Sequence, residues 1–324
     1  MKNFKKIASL LLALALVITL AACGNNDGNS SESAASESTA SSEASSEESS
    51  AAESSSEAEK PAAALEGTIN VVSREEGSGT RGAFVEITGV QKDKEDMTKA
   101  DAAIQNGTDQ VITYVASDAK SIGYISLGSL NDTVKAVKIN DVEATEENVL
   151  NDSYKLKRPF NIAYKAEEKD NEVTADFMKF IMSKEGQALA ADSGVIAADS
   201  AAAAYEKGKD LKGNIRIQGS TSVTPYMEKL MEAYKKLQPG VTFDFTSNGS
   251  GAGIQAVIDG NANIGMASRA IKDEETKAGV EATAIAIDGI AVIVAPDNAC
   301  ESLTLDQVRQ IYTGEITDWA KLAK

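Results

Sequence analysis

Four short segments carry the same chemistry. Ser73–Gly82 (SREEGSGTRG), Gly219–Pro225 (GSTSVTP), Ser247–Gly253 (SNGSGAG) and Ala267–Ala270 (ASRA) are rich in glycine, serine and threonine, and two of them contain arginine. Each lies between a run that reads as a strand and the start of a helix. A helix N-terminus offers backbone N–H groups without partners and about half a positive charge. Glycine lets backbone approach an anion closely, hydroxyls add donors, and arginine supplies a planar charged fork. Any one such loop is an ordinary turn and cap. Four of them converging at the carboxyl ends of strands make an oxyanion cage.

Other chemistries fit less well. Gly77-Ser78-Gly79-Thr80-Arg81-Gly82 satisfies the dinucleotide spacing GxGxxG. The Arg74-Glu75-Glu76 insert, however, separates strand from glycines more than that tight turn allows, and Asp101 downstream lies in a polar stretch instead of at a strand end. There is no GK[ST] phosphate loop and no GxSxG elbow. The chain has no histidine, which removes Ser-His-Asp and Cys-His catalysis and His-ligated zinc. The serines therefore read as donors and not as nucleophiles. Cys23 and Cys300 give no disulfide framework or thiolate cluster. No cofactor and no metal is expected. A formal charge of −17 over 324 residues argues against nucleic acid and anionic membrane surfaces as partners.

The elements that must position these loops alternate. Strand-like runs fall at Thr68–Ser73, Ser121–Ile125, Val134–Ile139, Phe160–Tyr164, Asn214–Gln218, Val241–Thr246, Asn263–Met266 and Ala284–Val294. Helical patterning covers Thr174–Ala190, with Phe177, Phe180, Ile181 and Leu189 near one face. Thr224-Pro225 reads as an N-cap and first-turn proline opening a helix to Leu237. Thr304 and Gln307 read as a capping box. The expectation is an α/β fold with largely parallel sheets, and the length suits two domains. Ala284–Pro296 is longer than an average strand and carries Asp288-Gly289 in its middle, as where one strand passes from one sheet to another. A second crossing is expected near Ile139–Asp141.

The first 22 residues divide into a lysine-bearing start (Lys2, Lys5, Lys6), an apolar run Ile7–Leu20, and Leu20-Ala21-Ala22-Cys23. The run is short for a membrane span and reads as a signal peptide. Small residues before a cysteine look like a lipobox, with Cys23 as the acylated residue, so the chain is expected outside the cytoplasm, anchored to the cell membrane. Cleavage removes three lysines and takes the formal charge to −20. Residues 23–66 form a Ser/Ala/Glu tract expected to be a disordered tether. As a flexible chain it spans about 35–40 Å.

The motifs together carry a resemblance. SREEGSGTRGAF, IGYISLGSL, GSTSVTPYMEKL, GMASR, AIAIDGIAVIV and TGEITDW resemble the phosphate-binding proteins of phosphate ABC transporters, over nearly all of residues 67–324. The order differs from the usual family arrangement. The segments of residues 68–190 precede those of 213–324, as in a circular permutant, with Gly194–Gly213 bridging the family's old termini. The resemblance implies a two-lobed type II periplasmic-binding-protein fold: a discontinuous lobe from 67–138 plus 291–324, and a contiguous lobe from 139–290. It implies that Arg74, Ser78, Gly79 and Thr80 hold phosphate from one lobe. Ser220, Thr221, Ser222, Ser250, Gly251, Ser268 and Arg269 would hold it from the other. It also implies a monomer that hands phosphate to permease subunits and is not an enzyme. Another oxyanion (sulfate, molybdate), a sensor role, and a nucleotide-binding enzyme are the alternatives. One departure stands out: Ala267-Ser268-Arg269 occupies the place where many relatives have an aspartate that accepts the phosphate proton. Glu75, Glu76 and Asp288 are the substitutes open to the chain. Cys300 reads as a spectator, Trp319 as packing, and Met178, Met227 and Met231 as helix core.

Overall fold

In the computed structural model, which describes residues 66–322, the alternation of strand and helix is realised around one long strand. The expected signal segment 1–22 and the tether up to residue 65 lie outside the described residues. Among the described residues no helix is long and apolar enough to cross a membrane. The principal elements are β1 (Asn70–Arg74), α1 (Gly79–Thr88), β2 (Ala103–Gln105), α2 (Thr108–Ser117), β3 (Ser121–Ser126), β4 (Lys135–Ile139) and β5 (Lys157–Lys165). Then follow α3 (Glu172–Ile181), β6 (Lys212–Gly219), α4 (Thr224–Leu237), β7 (Gly240–Ser247), α5 (Ser250–Ile258), β8 (Ile264–Ala267), β9 (Val280–Val294) and α6 (Leu305–Tyr312).

Strand pairing runs β7-β6-β8-β5-β9-β3-β1-β2. β9 carries the path from one half to the other. From Val280 to Gly289 it pairs with β5, and from Ile290 to Val294 with β3, while β4 flanks it at Val292–Val294. The change of partner falls at Asp288-Gly289, yet the strand itself is unbroken. The expectation of largely parallel sheets needs correction. β1 is parallel to β2 and β3, and β6 to β7 and β8. β9 is antiparallel to β3, β4 and β5, and β5 to β8. Apolar runs report burial on both faces and carry no information about direction.

Of four apolar clusters among the described residues, the two largest lie one on each half. In the first, Phe84 of α1 stacks on Tyr124 of β3 at 3.9 Å, with Tyr312 of α6 edge-on to Phe84 at 4.6 Å. In the second, Phe177, Phe180, Tyr234 and Phe243 cluster against β5 and β6. Val149, Tyr154 and Leu156 pack into the first core, and the Tyr154 hydroxyl donates to the Ile290 carbonyl at 2.9 Å. That core thus draws on the chain beyond Ile139–Asp141, where the second crossing was expected, through Leu156. Asn140 and Asp141 instead form a left-handed turn, φ 51° and 63°, closed by reciprocal backbone bonds between Ile139 and Val142.

Local signals hold with two adjustments. The helix expected over Thr174–Ala190 is two helices, because Ser183 caps a new start at Lys184–Ala188. The cap of α4 is Val223, and the Thr224 hydroxyl donates back to the Ser220 carbonyl. The Thr304–Gln307 capping box forms with both reciprocal bonds.

The described ends meet. Thr68 bridges Asp318, the Ile69 N–H donates to the Thr317 carbonyl at 2.9 Å, and the Trp319 N–H donates to the Gly67 carbonyl at 3.0 Å. The Trp319 ring is buried in the first core and its Nε1–H donates to the Lys120 carbonyl at 2.9 Å. Trp319→Ala is therefore expected to cost about 3–5 kcal/mol in urea unfolding. Leu150→Ala, at a side chain 68% exposed, should cost less than about 0.5 kcal/mol. Equal shifts of the two midpoints would show that the junction of the ends lies outside the cooperative unit.

Candidate functional site

β1 delivers Arg74 to the edge of the first half, where Gly77 turns the chain with φ +82°. Ser78 then caps α1, its hydroxyl accepting from the Arg81 N–H at 3.3 Å. The N–H groups of the first turn have no carbonyl partner within the helix. They face the equally glycine-rich start of α5: the Gly251 N–H donates to the Gly77 carbonyl at 2.9 Å. A Cβ on Gly79 would stand 2.2 Å from Ser250 Oγ and 2.7 Å from Ser268 Oγ. Only glycine lets these two helix starts approach so closely.

The hydroxyls of the sequence loops meet across the same gap. Thr80 Oγ1 and Ser222 Oγ are 2.9 Å apart, both buried. Thr221 Oγ1 accepts from Arg74 Nη2 at 3.0 Å and lies 3.2 Å from Thr108 Oγ1. Ser250 Oγ accepts from the Ser268 N–H at 3.1 Å and is 3.4 Å from Ser268 Oγ. Ser220 is also buried, but its N–H is spent on the Met266 carbonyl at 2.9 Å, so its backbone ties β6 to β8. All four loops singled out by composition thus come together, and α2 adds Gly107 and Thr108, which composition did not flag.

The charges differ from expectation. Arg74 is 1% exposed, and its fork is already engaged: Nε and Nη2 donate to the Glu75 oxygens at 2.8 and 2.7 Å. Glu75 Oε2 also accepts from the Gly107 N–H at 3.2 Å. What Arg74 keeps free is Nη1, which is buried and has no hydrogen-bond partner. Arg269 does not join the cage, because its guanidinium is forked onto Glu275 at 2.9 and 2.7 Å. Arg81 is half-buried. Its Nη1 donates to the Arg74 carbonyl at 2.8 Å and its Nε to Asp96 at 2.6 Å, bracing the loop. Of the three substitute proton acceptors, Glu76 is exposed, while Glu75 and Asp288 are each paired with an arginine.

That second arginine is Arg158, which the sequence reading passed over. It sits on β5, buried, with Nε donating to Asp288 Oδ2 at 3.0 Å and Nη1 to the Ser268 carbonyl at 3.2 Å. Nη2 is 2.9 Å from Asp288 Oδ2 but out of line with it, and makes no hydrogen bond. Ser126 at the end of β3 completes the Asp288 carboxylate, donating to Oδ1 at 2.7 Å. Burial pushes the Asp288 carboxyl up, against the attraction of Arg158 and the bonds from Arg158 and Ser126. Burial pushes the Arg158 guanidinium down, against Asp288, and the like charge of Arg74 adds to that push. Tyr124, whose hydroxyl is 2.8 Å from Ser73 Oγ, is pushed up to about 12 by burial and stays protonated. A charged residue beside proline inside an apolar strand (Arg158-Pro159-Phe160), and a lone aspartate in another, were the available signals.

The arrangement can hold an oxyanion. It offers hydroxyls, helix-start N–H groups and an unsatisfied guanidinium nitrogen.

A family model described as a PBP superfamily domain matches residues 45–185 and 198–324. The chain is 46% identical over 268 residues to phosphate-binding protein PstS 2 of Streptococcus agalactiae, covering 81% of this chain and 90% of the relative. It is 42% identical over 324 residues to phosphate-binding protein PstS 2 of Streptococcus pneumoniae, 99% of each chain. A crystal structure of a phosphate ABC transporter phosphate-binding protein from Streptococcus pneumoniae is similar with a TM-score of 0.64 at 47% identity, covering 79% of this chain and 99% of that one. With its two-lobed α/β architecture, the chain belongs to the family of phosphate-binding proteins within the PBP superfamily.

Proposed function

We propose that the chain captures inorganic phosphate between its two halves and delivers it to an ABC permease. The observation that carries this reading is the buried, unpartnered Nη1 of Arg74, set among the hydroxyls of Thr80, Thr221, Ser222, Ser250 and Ser268 and the N-terminal starts of α1 and α5. A buried cation short of a hydrogen-bond partner is costly, and an anion supplies both charge and acceptor. Glycine at 79 and 251 allows the contact. Ser78 and Ser220 act by holding the loops, and Arg269 stands outside the set.

The lobes we assign are 67–156 plus 290–324 for the discontinuous one and 157–289 for the contiguous one. The segment order is read as a circular permutation. Adjoining ends at Thr68 and Asp318 support this, as does a family match in two stretches that part next to Gly194–Gly213. The pneumococcal relative aligns end to end, so the order is common to both. The protein is further read as a monomeric, extracytoplasmic lipoprotein held through Cys23, and not as an enzyme.

Isothermal titration with phosphate, sulfate, molybdate and NAD tests the reading. Phosphate should bind at about micromolar strength or tighter, roughly −8 kcal/mol. Heat with another of these ligands and none with phosphate would refute it. Arg74→Ala should weaken phosphate about 30- to 1000-fold, or about 2–4 kcal/mol, and Arg74→Lys should recover only part, since an ammonium lacks the fork that also holds Glu75. Arg216→Ala, at an exposed side chain, should stay within about threefold of the parent. Gly79→Ala should force the α1 and α5 starts apart and weaken phosphate by about tenfold or more, with circular dichroism unchanged. Cys23→Ser should be released from cells into the medium; continued retention in the membrane fraction would remove the lipid anchor from the reading.

A further inference from the structure

We propose that Arg158 is a second anion-binding guanidinium, facing the ligand from the half opposite Arg74 and sharing its charge between Asp288 and the bound phosphate. This rests on the reading that phosphate occupies the cage.

The argument starts from what a fully buried guanidinium needs. Arginine has five N–H donors in a fixed fork, and burial makes each unmet donor expensive. Arg158 spends Nε on Asp288 Oδ2 and Nη1 on the Ser268 carbonyl, at 3.0 and 3.2 Å. Its Nη2 lies beside the same carboxylate oxygen without the alignment of a hydrogen bond and is completely buried. Asp288 is therefore an incomplete partner. Its other oxygen accepts from Ser126 at 2.7 Å.

Placement supplies the second line. Arg158 donates to the carbonyl of Ser268, whose own Oγ belongs to the hydroxyl pair at the heart of the cage. Burial pushes its guanidinium down, and the like charge of Arg74 adds to that push. Among the described residues, only Arg74 and Arg158 are arginines carrying a buried side-chain nitrogen with no hydrogen bond. They stand on different halves, β1 and β5, so an anion between them would satisfy both at once. Their nearest carboxylates, Glu75 and Asp288, neutralise each cation in part. Arg269 spends its charge on Glu275, which leaves Arg158 as the cation that half turns to the cage.

The test uses the full chain and inorganic phosphate, read by titration calorimetry with circular dichroism as the folding control. Removing Arg158 alone strands a buried carboxylate, so the pair is changed together in Arg158→Met with Asp288→Asn. This paired variant should stay folded and lose about 10- to 150-fold in phosphate affinity, the worth of a hydrogen bond to a charged group. Asp288→Asn alone should bind phosphate more tightly than the parent, because the guanidinium loses its competing anion. A merely structural pair predicts the opposite, a weaker or unchanged affinity with lower stability. Phosphate affinity of the folded paired variant within threefold of the parent would overturn the inference while leaving the phosphate reading intact. If the paired variant does not fold, Asp288→Asn decides by the direction of its shift. A parent chain that gives no phosphate heat sinks the underlying reading and the inference with it.

Discussion

The constraint on which the candidate site depends is a buried positive charge. Arg74 is taken out of water at the end of β1 with only part of its donor set answered, by Glu75 and Thr221. Such a group is tolerated when neighbouring elements hold it rigidly and when a partner can complete it. The surrounding detail follows from that need. Arg81 braces the Arg74 carbonyl, Gly107 supports the Glu75 carboxylate, and two glycine-rich helix starts close in from either side. Preorganised donors cost little to reorient when an anion binds, which is how a cage of weak individual bonds can bind firmly.

β9 gives the same site its geometry. One strand pairs with β5 over its first ten residues and with β3 over its last five, so both halves are registered by a single piece of backbone. The change of partner falls beside Asp288, and the Asp288 carboxylate is held by Ser126 from one half and Arg158 from the other. The buried ion pair and the sheet crossing are therefore one feature.

Much of this was legible in the residues. The strand–loop–helix joints at Arg74–Gly79 and Ser247–Ser250 announced themselves through glycine and hydroxyl content, and the capping box at Thr304 appeared as written. The crossing at Asp288-Gly289 was visible as polar residues interrupting an apolar run. What escaped was pairwise. Whether Arg74 offers its fork or has already closed it on Glu75 depends on a rotamer, and whether Arg269 faces a ligand or Glu275 depends on where a short helix (Asp273–Lys277) lands. Strand direction was misjudged because burial pattern is blind to it. Arg158 was missed because a lone arginine in a strand gains its meaning only from the aspartate 130 residues away in sequence.

The junction of the described ends has a consequence for how the molecule is made. The Gly67 N–H donates to Asp318 across 251 residues of sequence, and Tyr312 donates to the Val72 carbonyl across 240. A chain synthesised from its amino end holds β1 and α1 ready long before α6 and Trp319 exist to cover them. Its first core is therefore the last to close, whereas the Lys157–Gly289 region can assemble from neighbours already present. Such late, long-range closure slows folding and keeps apolar surface open for longer.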